Sequence, residues 1–151
     1  MYTNTQTMEK ATLKIVQFYN LEAELNGTQN PQTGEKLTKG LLSEKLQLKT
    51  KYWLSDLSKK VKEQTDACNE LRNDLIKKYG EEKDGQISVP VSVKEDDKDI
   101  LNPNFVSFQS EFEALLNEER EIEYKQLSID DLGSIETEEV YNTLFSLLKF
   151  D

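Results

Sequence analysis

The sequence predicts an α+β fold, predominantly helical, with a long helix packed antiparallel on shorter helices and a small two-stranded antiparallel sheet. Three observations carry that expectation. Neither Gly nor Pro interrupts the run from Leu41 to Tyr79, where apolar residues recur at helical spacing. Two short stretches, "QISVPVSV" and "REIEYKQL", alternate apolar and polar residues with the period of a strand. Gly, Pro, Asn and Asp gather between these pieces, where turns are needed.

Residues 1–10 are polar and are expected to form a flexible N-terminus, leaving residues 11–151 as a single helical α+β domain. "LKIVQFYNLEAELNG" opens on an alternation at Leu13 and Ile15, so a short strand is expected to feed a helix from about Gln17. Val16, Phe18, Leu21 and Leu25 supply its apolar residues. Asn26-Gly27 ends it, because both residues tolerate the left-handed backbone of a helix end. "TQNPQTGEKLTKG" reads as a polar loop holding Pro31, Gly34 and Gly40.

The long helix carries Leu54, Leu57, Val61, Gln64, Cys68, Leu71 and Leu75 at alternating steps of three and four. That spacing keeps one face apolar apart from Gln64. Leu41 to Tyr79 is long for a globular helix, so a break around Ser43 or Thr50 is expected. Gly80 stands where a C-cap belongs, and Asp84-Gly85 supplies a turn. "QISVPVSV" follows, with Ile87, Val89, Val91 and Val93 on one side of a strand that Pro90 assigns to a sheet edge.

"KEDDKDILNPN" reads as a loop. "NFVSFQSEFEALLNEE" reads as a helix with Asn104 as cap and Phe105, Phe108, Phe112, Leu115 and Leu116 as its apolar face. Ile122, Tyr124 and Leu127 mark the second strand, expected to pair with residues 86–93. Ser128, Asp130 and Asp131 start a helical turn that Gly133 ends. In the final helix, "ETEEVYNTLFSLLKF", acids occupy the first turn and Lys149 the last, with Val140, Leu144, Phe145 and Leu148 turned inward.

The chain carries a net charge of −10, unevenly spread. Residues 1–40 balance four acids against four bases, residues 41–80 net +3, and residues 81–151 net −13. An acidic face of this kind repels nucleic acid and attracts a basic partner. There is no His, which removes the commonest general base and zinc ligand. The single Cys68 permits no internal disulfide and sits where a small buried thiol fits. No glycine-rich phosphate loop is present. These features point away from an enzyme and toward a protein without cofactor or metal. The opening residues lack the layout of a signal peptide, and no apolar run reaches the ~18 residues of a membrane span.

Two clusters are candidates for binding a partner. Tyr52, Trp53, Lys59 and Lys60 interleave bases with aromatics on the long helix, and Glu95, Asp96, Asp97 and Asp99 form the densest run of acids. Lysines on an exposed helix face and acids in a loop are also what ordinary solvated surface contains, and the acids lack the spacing of a calcium loop.

Five stretches stand in a fixed order: "LEAELNG" (residues 21–27), "RNDLIKKYG" (72–80), an acidic-glycine turn into a strand (81–91), the "NFVSF" helix (104–116) and a strand running into "LSIDDL" (122–132). In that order they resemble a family of small tailed-bacteriophage proteins of largely uncharacterised function, over about residues 13–135. The shared motifs are structural punctuation and bring no catalytic residue. The chain departs from the family layout by the insertion "TQNPQTGEKL" and by a less basic start to the long helix. The resemblance implies a non-catalytic phage protein acting through protein–protein contacts, made in the host cytoplasm, as a minor virion or assembly component. The alternative is an acidic inhibitor of a host or defence protein, occluding a basic groove. Both imply a protein partner; a homo-oligomer is compatible with the first, and neither calls for nucleic acid or a membrane.

Overall fold

The computed structural model describes residues 8–133, 139 and 141–148. Its elements run β1 (Met8–Lys14), α1 (Ile15–Asn26), β2 (Thr28–Gln29), β3 (Lys36–Thr38), a 3₁₀ turn (Leu41–Ser43) and α2 (Leu48–Tyr79). They continue β4 (Glu81–Lys83), β5 (Gln86–Ser88), β6 (Ser92–Glu95), β7 (Lys98–Leu101) and α3 (Pro103–Leu116). Last come β8 (Glu119–Lys125), a second 3₁₀ turn (Ile129–Leu132) and α4 (Asn142–Phe145). The class is α+β, with about 51% of the described residues helical and one long helix. The chain divides into two compact units, one of residues up to Gln64 together with those from Glu119 onward, the other Thr65–Glu118.

The strands among the described residues form four two-stranded antiparallel sheets where one was expected. In the first unit β8 pairs with β1 from Met8↔Lys125 to Lys14↔Glu119, with Ala11 opposite Ile122. The expected partner of β8, residues 86–93, is instead split at Val89-Pro90 between two local hairpins. Proline cannot donate to a ladder, and closing a two-residue turn costs far less chain entropy than a distant pairing. Met8, Glu9 and Lys10, in the stretch expected to be flexible, belong to β1.

The first unit owns the core. Phe18, Leu21 and Leu25 of α1 are fully buried, as are Leu41 of the 3₁₀ turn and Val61 of α2, with Leu54 and Leu144 at 1% exposure. The break expected in the long helix is real: a 3₁₀ turn precedes α2, and α2 starts at Leu48. Gly27 caps α1 at φ 83, with its N–H on the Ala23 carbonyl at 2.8 Å. A Cβ on Gly27 would overlap the Thr38 carbonyl, and one on Gly40 would overlap the Gly27 backbone. Two chain segments therefore cross there in direct contact, and the stretch read as a loop carries the β2–β3 pairing beside the crossing.

Long-range polar contacts close the first unit. The Glu24 carboxylate accepts the backbone N–H groups of Thr143 (3.3 Å) and Leu144 (3.0 Å), and that of Glu139 accepts those of Lys39 (2.8 Å) and Gly40 (3.1 Å). Thr50, buried, donates its hydroxyl to the Asp131 carbonyl at 2.8 Å. Ser128 and Asp131 form a reciprocal cap on the second 3₁₀ turn, and Gly133 ends it at φ 68. Of the final helix, Leu144 and Leu148 are buried as expected and Phe145 is half-buried. Val140 and Lys149, and the acids Glu136 and Glu138, lie outside the described residues.

The second unit contains the later half of α2, the hairpins β4–β5 and β6–β7, and α3. Gly80 ends α2 as expected, its N–H on the Ile76 carbonyl at 2.7 Å. Asp84 and Gly85, at φ 55 and φ 79, make the β4–β5 turn, and Asp96 and Asp97, at φ 52 and φ 62, make the β6–β7 turn. The "KEDDKDI" stretch read as loop is thus a hairpin. The cap of α3 is Asn102 with Pro103 after it, not Asn104: the Asn102 side-chain oxygen Oδ1 accepts the Asn104 N–H at 3.1 Å. Its side-chain amide donates to the Pro90 carbonyl at 2.8 Å, and its backbone N–H to the Val91 carbonyl at 2.9 Å. One buried side chain therefore fastens the base of the second hairpin to the start of α3.

Candidate interaction surfaces

The α2 stripe turns over partway along its length. Leu54, Leu57 and Val61 are buried, and the next buried positions are Thr65 and Cys68. The four-residue step from Val61 lands on Thr65, leaving Gln64 half-buried and Leu71 50% exposed. Beyond Cys68 no residue of α2 is buried. On α3 the expected face of Phe105, Phe108, Phe112, Leu115 and Leu116 does turn inward, yet each is only half-buried and none is enclosed. Phe108 stacks on Phe112 at 6.0 Å, and the Arg72 guanidinium lies 5.9 Å from the Phe112 ring centre. Val91 (56%), Leu101 (59%) and Val106 (45%) are open to solvent around Asn102.

The opposite side of α2 carries the first candidate cluster. Leu48 is 85% exposed and Tyr52 64%. Steps of four and seven along a helix put Leu48, Tyr52 and Lys59 on one face. Leu48, Lys49, Tyr52 and Trp53 line an open hollow of about 800 Å³, and the Tyr52 and Trp53 rings meet edge-to-face at 5.0 Å. Lys60 is used differently from Lys59. Its ammonium donates to the Glu123 carbonyl at 2.8 Å and pairs with Asp56 at 3.2 Å, so it braces β8 against the helix.

The second cluster, Glu95, Asp96, Asp97 and Asp99, is exposed at the tip of the β6–β7 hairpin. The eight candidates thus fall into two sets, Tyr52 to Lys60 in the first unit and Glu95 to Asp99 in the second. Among the described residues no group of three or more His, Cys, Asp or Glu is arranged to hold a metal ion. Leu48 and Leu101 were not singled out by sequence reasoning, and Val91 was read only as part of a strand's apolar side. Leu48 carried a usable signal, since it lies one turn before Tyr52 and off the Leu54–Leu57–Val61 stripe.

Among the described residues two titrating groups are displaced from their ordinary values. Lys78 is raised, first by its hydrogen bond with Tyr79 and then by the Glu111 carboxylate 3.6 Å away. Tyr124 is raised by burial and secondarily by the charge of Glu9. Both shifts lead away from neutral pH, so neither prepares an acid or base for work near pH 7. Among the described residues no helix is long and apolar enough to cross a membrane. No protein-family model matches this chain, and neither a curated protein nor a solved structure matches it.

Proposed function

We propose that this chain is a non-catalytic bacteriophage protein, of the small tailed-phage family its motifs resemble, that works through protein–protein contact as a minor virion or assembly component. The observation that supports this is the unfinished burial of the second unit. Its buried residues are Thr65, Cys68 and Asn102, and its 14-residue helix α3 has none. A helix of that length and two-stranded hairpins are each marginal on their own in water. Completing the burial of one half-covered large apolar side chain gains roughly 1 kcal/mol. Several such side chains together supply what an association must overcome.

The packing foreseen for the long helix, antiparallel on its shorter neighbours, belongs to the same proposal. Contacts of Arg72 with Phe112 and of Lys78 with Glu111 support side-by-side packing of α2 and α3. Mass spectrometry of purified virions, with light scattering on the isolated chain, tests the proposal. Detection in particles or a stable complex is expected; a strict monomer absent from particles overturns it. The exposed acids at the β6–β7 tip favour a second reading, an inhibitor that fills a basic groove on a host or defence protein. A host-lysate pull-down that retains no basic protein at low salt would sink that alternative.

A further inference from the structure

Two exposed surfaces of this chain match each other in charge and in spacing. The stretch from Lys45 to Lys62 holds six lysines against Asp56, a net of +5. Along the outward face of α2 an apolar patch, Leu48 and Tyr52, gives way to the exposed Lys59. At ~1.5 Å of rise per residue, Lys59 stands roughly 10–16 Å along the helix from those two residues. The other surface is the β6–β7 hairpin, whose residues 92–101 hold four acids and two lysines, net −2, in a unit of net −7. Val93 pairs with Ile100 and Glu95 with Lys98, while the Asn102 N–H on the Val91 carbonyl continues the ladder. Alternation along a strand therefore puts Val91, Val93, Ile100, Glu95 and Lys98 on one face and Lys94 and Asp99 on the other, so the net acid at the far end comes from the Asp96-Asp97 turn. Val91 is 56% and Ile100 36% exposed. At ~3.3 Å per residue, Glu95 and the acidic turn beyond it lie roughly 13 Å from Val91. Each surface is apolar at one end and charged at the other, over the same length and with opposite sign.

We infer that the β6–β7 hairpin of one copy docks on the exposed α2 face of a second copy, giving head-to-tail self-association. This rests on the contact function proposed above and names the partner for it. Charge decides the arrangement. A two-fold pairing through the hairpins would set −2 against −2, and one through the α2 faces would set +5 against +5. Only the heterologous contact joins opposite signs. A heterologous contact leaves one free surface of each kind on every dimer, so association continues until a ring closes or a filament grows.

The test is charge reversal at exposed positions that do not brace the fold. Lys49→Glu with Lys59→Glu lowers the α2 stretch from +5 to +1, and Glu95→Lys with Asp99→Lys turns the hairpin from −2 to +2. All four side chains are exposed. Circular dichroism confirms that each variant folds, and sedimentation velocity reads the association. The wild type is expected to gain mass with concentration at low salt and to return to monomer near about 0.5 M salt, where screening is short-ranged. Each variant alone should associate at least about tenfold more weakly, and an equimolar mixture should recover association. A wild type that stays monomeric at low salt overturns the inference, as does association that both variants retain or a mixture that stays monomeric. A monomeric chain that is still present in purified virions overturns this inference alone. A monomer absent from virions overturns the contact function as well.

Discussion

The two units of this chain spend their apolar residues differently. In the first, Phe18, Leu21 and Leu25 of α1 meet Leu41 and Val61 in a core that excludes solvent entirely at those positions. In the second, five large apolar residues on α3 are only partly buried, and Ile87, Val91, Ile100 and Leu101 on or beside the hairpins are exposed. Helical period and composition are similar on both sides of the boundary. What differs is the number of elements that converge. The first unit folds β1, α1, the early half of α2, β8 and the C-terminal segment around one centre, whereas the second has two helical segments and two ribbons. Two-layer packing needs a second face to bury the first, and a hairpin of three or four residues per strand offers little of one.

The contrast breaks or holds on one pair of variants, with the largest expected effect. Phe18→Ala should cost about 3–5 kcal/mol, because the side chain is fully buried and the cavity left behind cannot collapse. Phe108→Ala, on a half-covered face, should cost about 1 kcal/mol in the isolated chain. Urea unfolding followed by Trp53 fluorescence measures the first, since Trp53 lies in the first unit. Hydrogen exchange over residues 81–116 measures the second. Equal costs would show that the second unit has a closed core after all.

Next in size is Gly40→Ala, expected to destabilise by at least about 2 kcal/mol. Gly40 holds φ 84, and its missing Cβ is where the Gly27 backbone passes. Gly85→Ala in the second unit sharpens the comparison. That glycine has φ 79 but nothing within 4 Å of an added Cβ, so only the backbone term of about 1 kcal/mol applies. Melting curves of the two variants should separate by several degrees.

The sequence was most readable where one short-range rule decides the outcome. Gly27, Gly80 and Gly133 end their helical segments, the start of the long helix breaks, and Ser128 caps a turn with Asp131. Position 64 against 65 shows the limit of apolar counting: Thr65 is fully buried and Gln64 only partly, but periodicity weighs both as polar. The strand pairing was not legible because β1 is "MEKATLK", with Ala11 and Leu13 as its weak apolar alternation. Nor was the second hairpin, since Asp96-Asp97 lacks the glycine that announces such a turn. Of the candidate surfaces, the residue types were visible and their exposure was not. Lys59 and Lys60 are neighbours in sequence, yet one is open and the other holds β8.

That missing glycine makes a prediction in the opposite direction. Asp97 sits at φ 62, where an L residue with a Cβ is disfavoured by about 1 kcal/mol and Gly is not. Asp97→Gly should therefore slow hydrogen exchange across β6–β7 by several-fold while leaving the first unit's unfolding unchanged. Faster exchange at β6–β7 would mean that the Asp97 carboxylate contributes more to the turn than its backbone strain removes.

The smallest effect concerns pH and reads the first unit alone. Tyr124 on β8 is opposite Glu9 on β1, and burial, helped by that carboxylate, raises its phenol above the ordinary 10.0. In the unfolded chain the phenol ionises near 10.0, while the folded one keeps its proton to higher pH. The folded form thus binds more protons over that interval, and stability falls as pH rises through it. Below it the contribution is complete and does not vary. Tyr124→Phe should flatten the loss of stability as pH rises past the ordinary 10.0, and Glu9→Gln should reduce it by a smaller amount. Lys78 in the second unit is raised as well, but it is exposed and its pairing with Glu111 is screened by solvent. Alkaline unfolding should therefore register at Trp53 and leave exchange in residues 81–116 where it was. A common alkaline transition in both units, unaffected by Tyr124→Phe, would show that they unfold together and that the difference in their burial does not separate their stabilities.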